Sequence, residues 1–323
     1  ADVVESWGGK LKRRIITNSL GFRGFKKDNI QKNSNKKRIL LVGDSFIEGS
    51  GYDYEFTIGG LLQKKLGSKY QILNSAVESY SPSIYYKKTQ YFLSKGYKFD
   101  QALIFLDVSD IYDELFIQFD DLENIVTDLS KNEINKGFQL KHAVYSLGKF
   151  LRDNTVTFRL LNIISDKTEI YKNYLKLKYK TSKIMDKKFF DIDEDDVMFY
   201  RMTHIDRGYW TYSDEKYNQV KKGLEQSERY LKKLFELLKE NSIESHLIIY
   251  PWPTQIEFGD EKHVNFWKEF STKNNINFVN LYDSFYSRNT RSFIMNNFIY
   301  GDIHWNKKGT KLAFDQIIEE IKF

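Results

Sequence analysis

Three side chains spread over this 323-residue sequence have the types that acyl transfer needs. Residues 40–46 read Leu-Leu-Val-Gly-Asp-Ser-Phe, an apolar run that breaks at Gly43 and presents Asp44 and Ser45. Residues 301–306 read Gly-Asp-Ile-His-Trp-Asn, just before a closing helical pattern. A serine hydroxyl attacks an ester only when a base takes its proton, and the base must be held in one tautomer. Ser45 is the candidate nucleophile, His304 the base and Asp302 its orienter, in the chain order Ser, Asp, His. Side chains two residues apart in an extended loop point the same way, so Asp302 can reach one ring nitrogen and leave the other for Ser45. The base must be neutral, so activity should rise with pH through a histidine titration, ordinarily at about 6.5. This chemistry calls for no cofactor.

Other motifs are excluded. The nucleophile elbow Gly-x-Ser-x-Gly fails because Ile47 stands at its last position. No Gly-Lys-Ser/Thr follows Gly43, and Gly49-x-Gly51 lacks a third glycine, so neither phosphate-binding loop is present. Asp107, Asp110, Asp113 and Glu114 cluster after an apolar run, but without histidine or ligand spacing they read as caps and loop braces rather than a metal site. The acidic run 191–196 lacks the glycine and glutamate of a calcium loop and reads as a solvated loop. His142, His204, His246 and His263 have no paired spacing and read as ordinary.

The elements that must carry the triad are legible. Five short apolar segments, 38–42, 71–77, 101–106, 245–250 and 277–281, are separated mostly by helical stretches. That alternation argues for βαβ units and a parallel sheet covered on both faces. Ser81 and Pro82 predict a helix start, with apolar residues continuing to Tyr97. Leu224, Leu231, Phe235 and Leu238 fall at helical spacing within a second helix over 214–239. Leu312, Phe314, Ile317, Ile318 and Ile321 mark a third, which closes the chain. Residues 114–212 fit no further strand and read as a helical cap insertion, since a structureless loop of that length is improbable. Pro82, Pro251 and Pro253 all follow strands, where open α/β sheets bind ligands or where a strand simply exits.

Composition bounds the rest. Hydrophobic residues make up 41% and charged residues 29%, which fits a packed globular chain. There is no cysteine, so disulfides, thiolate metal sites and cysteine nucleophiles are all excluded. The net charge of +6 is scattered, and no nucleic-acid motif accompanies it. The longest apolar runs are strand-sized, too short to span a bilayer. The chain does not open on Met and its first residues form no leader. The expectation is a periplasmic or cell-surface location with a processed signal or anchor; a trimmed start and a cytoplasmic location stay open.

Gly43-Asp44-Ser45-Phe46 resembles block I of the SGNH (GDSL-like) hydrolase superfamily. Asn74-Ser-Ala-Val-Glu-Ser79 lies where that family has Asn-x-Gly-x-x-Gly, and Leu106-Asp-Val-Ser109-Asp110 where it has Leu-Gly-x-Asn-Asp. Asp302-x-His304 occupies the final block. The resemblance runs from about Asn18 to the last helix and implies a flavodoxin-like three-layer α/β/α sandwich, here a single domain over 1–323 with an N-terminal extension, 1–37. It implies oxyanion donors at Ser45, Ser79 and Ser109, the last two standing where the family has glycine and asparagine. One missing oxyanion donor typically costs about a hundredfold in rate, so the hole is expected to be weaker or otherwise completed. Asp302-x-His304-Trp305 is similar to the alginate O-acetyltransferases and their relatives in bacterial exopolysaccharide modification.

The expectation is therefore a serine esterase or O-acetyltransferase acting on acyl, chiefly acetyl, esters of a carbohydrate or polysaccharide. A membrane acyl-donor protein would be the partner for transfer. The alternatives are a catalytically weak carbohydrate-binding or assembly protein of the same fold, and a lipid or small-ester esterase. Asp44, Trp252 and Trp305 are the candidates for lining the substrate site, Asp44 chiefly as a brace of the turn and the tryptophans as sugar-stacking rings or as core.

Overall fold

The structure is a computed structural model that describes residues 1–7, 11–117, 193–287 and 289–323. The chain divides into two compact units, one of residues 1–117 with 201–323, the other of residues 118–200. Most of the cap expected over 114–212 lies outside the described residues, and the helix Glu194–Thr203 is the main described element from Asp193 onward in that block. The larger unit carries every candidate catalytic residue.

Its centre is a five-stranded, wholly parallel sheet. The hairpin strands come first in the chain, β1 (Asp2–Trp7) and β2 (Leu11–Ile16), and pair antiparallel with each other. The sheet itself is built from β3 (Lys37–Val42), β4 (Tyr70–Asn74), β5 (Gln101–Leu106), β6 (Glu244–Ile249) and β7 (Asn277–Asn280). These correspond to the five apolar segments predicted from sequence. The spatial order is β4-β3-β5-β6-β7. All six residues of β5 are buried, as expected of a central strand covered on both faces. Counting from β3 the order is 2-1-3-4-5, the flavodoxin-like doubly wound arrangement. The chain turns in opposite directions on leaving β3 and β5, so a crevice forms at their carboxyl ends.

Helices complete a three-layer sandwich. In the described residues they run α1 (Ser45–Glu48), α2 (Ile58–Leu66), α3 (Pro82–Ser94), α4 (Val108–Glu114), α5 (Glu194–Thr203) and α6 (Asp214–Glu240). After β6 come α7 (Pro253–Phe258), α8 (Lys262–Asn274), α9 (Tyr282–Phe285), α10 (Thr290–Asn297) and α11 (Lys307–Glu320). α3, with Pro82 in its first turn, packs against α6. α6 buries Val220, Leu224, Leu231, Leu234 and Leu238 at helical spacing and also meets α4. That contact is close enough that a Cβ on Gly223 would lie 2.2 Å from the Ile111 carbonyl oxygen. α2 and α10 pack against α11.

The N-terminal extension, 1–37, is bonded to the sandwich through Arg23. Buried Arg23 donates through Nη1 to the Gly49 carbonyl at 2.7 Å and through Nη2 to that of Tyr52. Its backbone N–H donates to the Asn74 carbonyl at the end of β4. Burial lowers the Arg23 pKa to about 10, against the pull of Glu48.

Candidate active site

Ser45 leaves the end of β3 at the crevice and opens α1. Asp44 caps that helix: its Oδ1 accepts the Phe46 N–H at 3.0 Å and the Tyr250 hydroxyl at 2.9 Å. Asp44 is therefore a buried brace beneath the nucleophile and presents no surface to a substrate. The turn is held in place on its far side, where the Asn74 side chain donates to the Ile47 carbonyl at 2.7 Å.

Asp302 and His304 sit on a tight loop between α10 and α11. Phe298 and Trp305 form an antiparallel bridge across its base, and the Ile299 N–H donates to the His304 carbonyl at 2.8 Å. Asn306 locks the exit. Its Oδ1 caps α11 by accepting from Lys308 and Gly309, while its amide donates to the Asn296 and Phe298 carbonyls. The loop is thus a rigid clip that presents its two polar side chains on one side.

The structure brings the three residues together. Ser45 Oγ lies 2.8 Å from His304 Nε2, and His304 Nδ1 lies 2.5 Å from Asp302 Oδ1. That oxygen also accepts the His304 backbone N–H at 2.9 Å. A carboxylate at Nδ1 assigns the proton to that nitrogen and leaves the Nε2 lone pair facing the serine. Burial works against the Asp302 charge, but donation from His304 and from the Trp7 indole outweighs it and holds the carboxyl below its ordinary range. Trp7, the last residue of β1, donates from Nε1 to Asp302 Oδ2 at 3.2 Å. The Phe46 ring lies over the His304 imidazole, centroids 4.6 Å apart and planes 35° apart.

Of the expected oxyanion donors, Ser45 opens α1 after β3 and Ser79 lies on the loop between β4 and α3. Ser79 is exposed and has φ +62, a left-handed conformation that a glycine adopts without strain and a serine does not. The Ser109 side chain is held differently from expectation. Its hydroxyl donates to Asp107 Oδ1 at 2.8 Å, so its single proton is already engaged.

Of the two roles open to Trp252 and Trp305, sugar-stacking ring or core, burial favours the core for both. Trp252 is fully buried and donates from Nε1 to Asp107 Oδ2 at 2.7 Å. Trp305 is 3% exposed and is packed by Phe46, Tyr250 and Phe285. A narrow cleft beside His304 is lined by Phe46, Ser50, Tyr52, Phe56 and Thr57 as well as by Trp305.

The acidic cluster after β5 does the bracing its sequence suggested. Asp107 and Asp110 form a reciprocal capping box on α4, Asp113 pairs with Arg207 at 2.8 Å, and Glu114 accepts the Ser83 N–H. Asp44, Asp107 and Asp110 are the described residues whose ligand atoms lie within 4.8 Å of one another and could meet at a cation. Most of their oxygens already accept from N–H or O–H donors. Burial, with the nearby Asp107 carboxylate, pushes Asp44 and Asp110 well above the ordinary carboxylate range. The residues that sequence reasoning missed are Trp7 and Tyr250. Tyr250 ended a predicted strand, whereas Trp7 sat in a stretch with no apolar run.

No family model matches the sequence, and no curated protein matches it. Solved structures do. The chain is similar to TesA at 11% identity and TM-score 0.46, covering 88% of this chain and 98% of that one. A G-D-S-L-family protein from Desulfitobacterium hafniense matches at 11% identity and TM-score 0.42, with 88% and 100% covered. Axe2, an acetyl-xylooligosaccharide esterase from Geobacillus, matches at 12% identity and TM-score 0.43, with 91% and 97% covered. At these identities and scores the likeness is distant, and the geometry of the site carries the functional reading. The structural neighbours of the chain thus include G-D-S-L-family and esterase folds.

Proposed function

We propose that this chain is a serine-dependent acyl-ester hydrolase that acts on short acyl, chiefly acetyl, esters of a carbohydrate. The observation that supports it is the contact of 2.8 Å between Ser45 Oγ and His304 Nε2, backed by Asp302 on the other ring nitrogen. In this mechanism Ser45 Oγ attacks the ester carbonyl while His304 Nε2 takes its proton. The backbone N–H groups of Ser45 and Ser79 receive the oxyanion. Collapse breaks the C–O bond to the alcohol, which leaves with the proton from His304. Water, deprotonated by the same nitrogen, then releases the acid from acyl-Ser45; a sugar hydroxyl in its place would make the reaction a transfer.

The cleft at His304 has room for little more than a water molecule, and a triad with no preformed tunnel beside it among the described residues favours a short acyl chain over a lipid tail. The Asp-x-His-Trp resemblance favours a carbohydrate alcohol. The test compares p-nitrophenyl esters from acetyl to octanoyl with an acetylated oligosaccharide, following by mass spectrometry whether the acetyl group reaches water or sugar. The expected result is acetyl turnover that falls steeply with chain length and is lost in Ser45→Ala. Equal turnover of octanoyl esters contradicts the substrate assignment, and no turnover of any ester contradicts the reading as a whole.

A further inference from the structure

Trp7 stands outside the sandwich strands yet touches the candidate acid directly. Its indole Nε1 donates to Asp302 Oδ2 at 3.2 Å, on the oxygen that His304 does not use. Its ring meets the imidazole edge-on, with centroids 4.9 Å apart and planes at 86°. The indole is itself fixed. Arg13, 3% exposed on the paired strand β2, lies 5.2 Å over its ring and bonds to Glu5 at 3.1 Å and to the Gly49 carbonyl at 3.3 Å. Gly49 is the C-cap of the helix that Ser45 opens, so one arginine ties the hairpin to the nucleophile's own helix.

From this geometry we infer that Trp7 is a positioning residue, the hairpin's contribution to a four-member relay of Trp7, Asp302, His304 and Ser45. A carboxylate held through one oxygen, as Asp302 is by the two N–H groups of His304, keeps its other oxygen free to swing. Two donors on its two oxygens fix its plane, and with it the direction of the lone pair that faces His304 Nδ1. The indole also disperses the carboxylate charge. The hairpin that carries it pairs with no strand of the five-stranded sheet, so the second donor reaches Asp302 from outside that sheet.

The inference rests on the catalytic reading above, and the test separates the two. Wild type, Trp7→Phe and Trp7→Ala are compared in the full chain for acetyl-ester turnover and for the pH profile of kcat/KM. Trp7→Phe keeps an aromatic ring and removes the N–H. Loss of a hydrogen bond to a charged group predicts a fall of about tenfold in kcat with little change in KM. The acid limb of the profile moves to higher pH, because Asp302 without the indole keeps more charge for the imidazolium. A role confined to packing would leave Trp7→Phe like wild type on both counts, and that outcome overturns the inference while the triad stands. A wild type that turns over no ester overturns both. Should Trp7→Phe not fold, Asp302→Asn decides by nuclear magnetic resonance. The Trp7 indole proton should shift in that variant, and in wild type it should follow the titration of His304. An indole proton indifferent to both overturns the inference.

Discussion

The carboxylate of Asp302 is divided between two donors, His304 on Oδ1 and Trp7 on Oδ2, and its role can be isolated by one near-isosteric change. An asparagine at this position would offer its amide N–H in place of an acceptor and turn the imidazole to the wrong tautomer. Asp302→Asn should therefore lower kcat about 10⁴-fold, with the fold intact by circular dichroism. A loss under tenfold would contradict the role given to it. At this scale the sequence exposed Ser45, Asp302 and His304, because their types and order suffice to suggest acyl transfer. It hid the direction of the Ser109 hydroxyl and the burial of Trp252. Both depend on Asp107, which follows a strand remote in sequence from Trp252 and becomes its neighbour only when β5 and β6 pair. It hid Trp7 for a related reason: no local pattern connects residue 7 with residue 302.

The strands were readable because a parallel sheet buried on both faces demands continuous apolar runs, as in Leu247–Ile249 within β6. α6 was readable because its apolar stripe extends over many turns. α2 was not. Gly59 and Gly60 argue against a helix by propensity, yet a Cβ at Gly60 would lie 1.9 Å from the Tyr54 carbonyl oxygen, so close approach outweighs the propensity cost. β1 and β2 escaped for lack of apolar alternation, since β1 is exposed almost throughout. α3 offers a prediction of its own. Lys88 donates to the Ser75 carbonyl at 2.7 Å and lies 4.8 Å over the Tyr80 ring, and burial lowers its pKa to about 8. Between about 8 and the ordinary 10.4 the unfolded chain binds more protons than the folded one, so stability from this group rises with pH across that window. Urea midpoints of wild type and Lys88→Met, followed from pH 7 to pH 10, should diverge in favour of wild type as pH increases. A constant difference would contradict the account.

Across the whole larger unit, the site is assembled from segments that enter it from different ends of the chain. The nucleophile arrives on the first sheet strand, at the switch point of a 2-1-3-4-5 order, while the Asp-His clip arrives after the last strand. The parallel sheet was anticipated from the alternation of strands and helices, and its flavodoxin-like order from the resemblance. The long block inside 114–212 falls mostly outside the described residues. The claim on which everything turns is that Ser45 is an activated nucleophile. Treat the folded 323-residue chain and its Ser45→Ala and His304→Ala variants with a fluorophosphonate, digest them, and map the adduct by mass spectrometry. The account predicts one stoichiometric adduct on Ser45 in wild type and none at that position in either variant. An unlabelled Ser45 in wild type, or equal labelling after removal of His304, would contradict it.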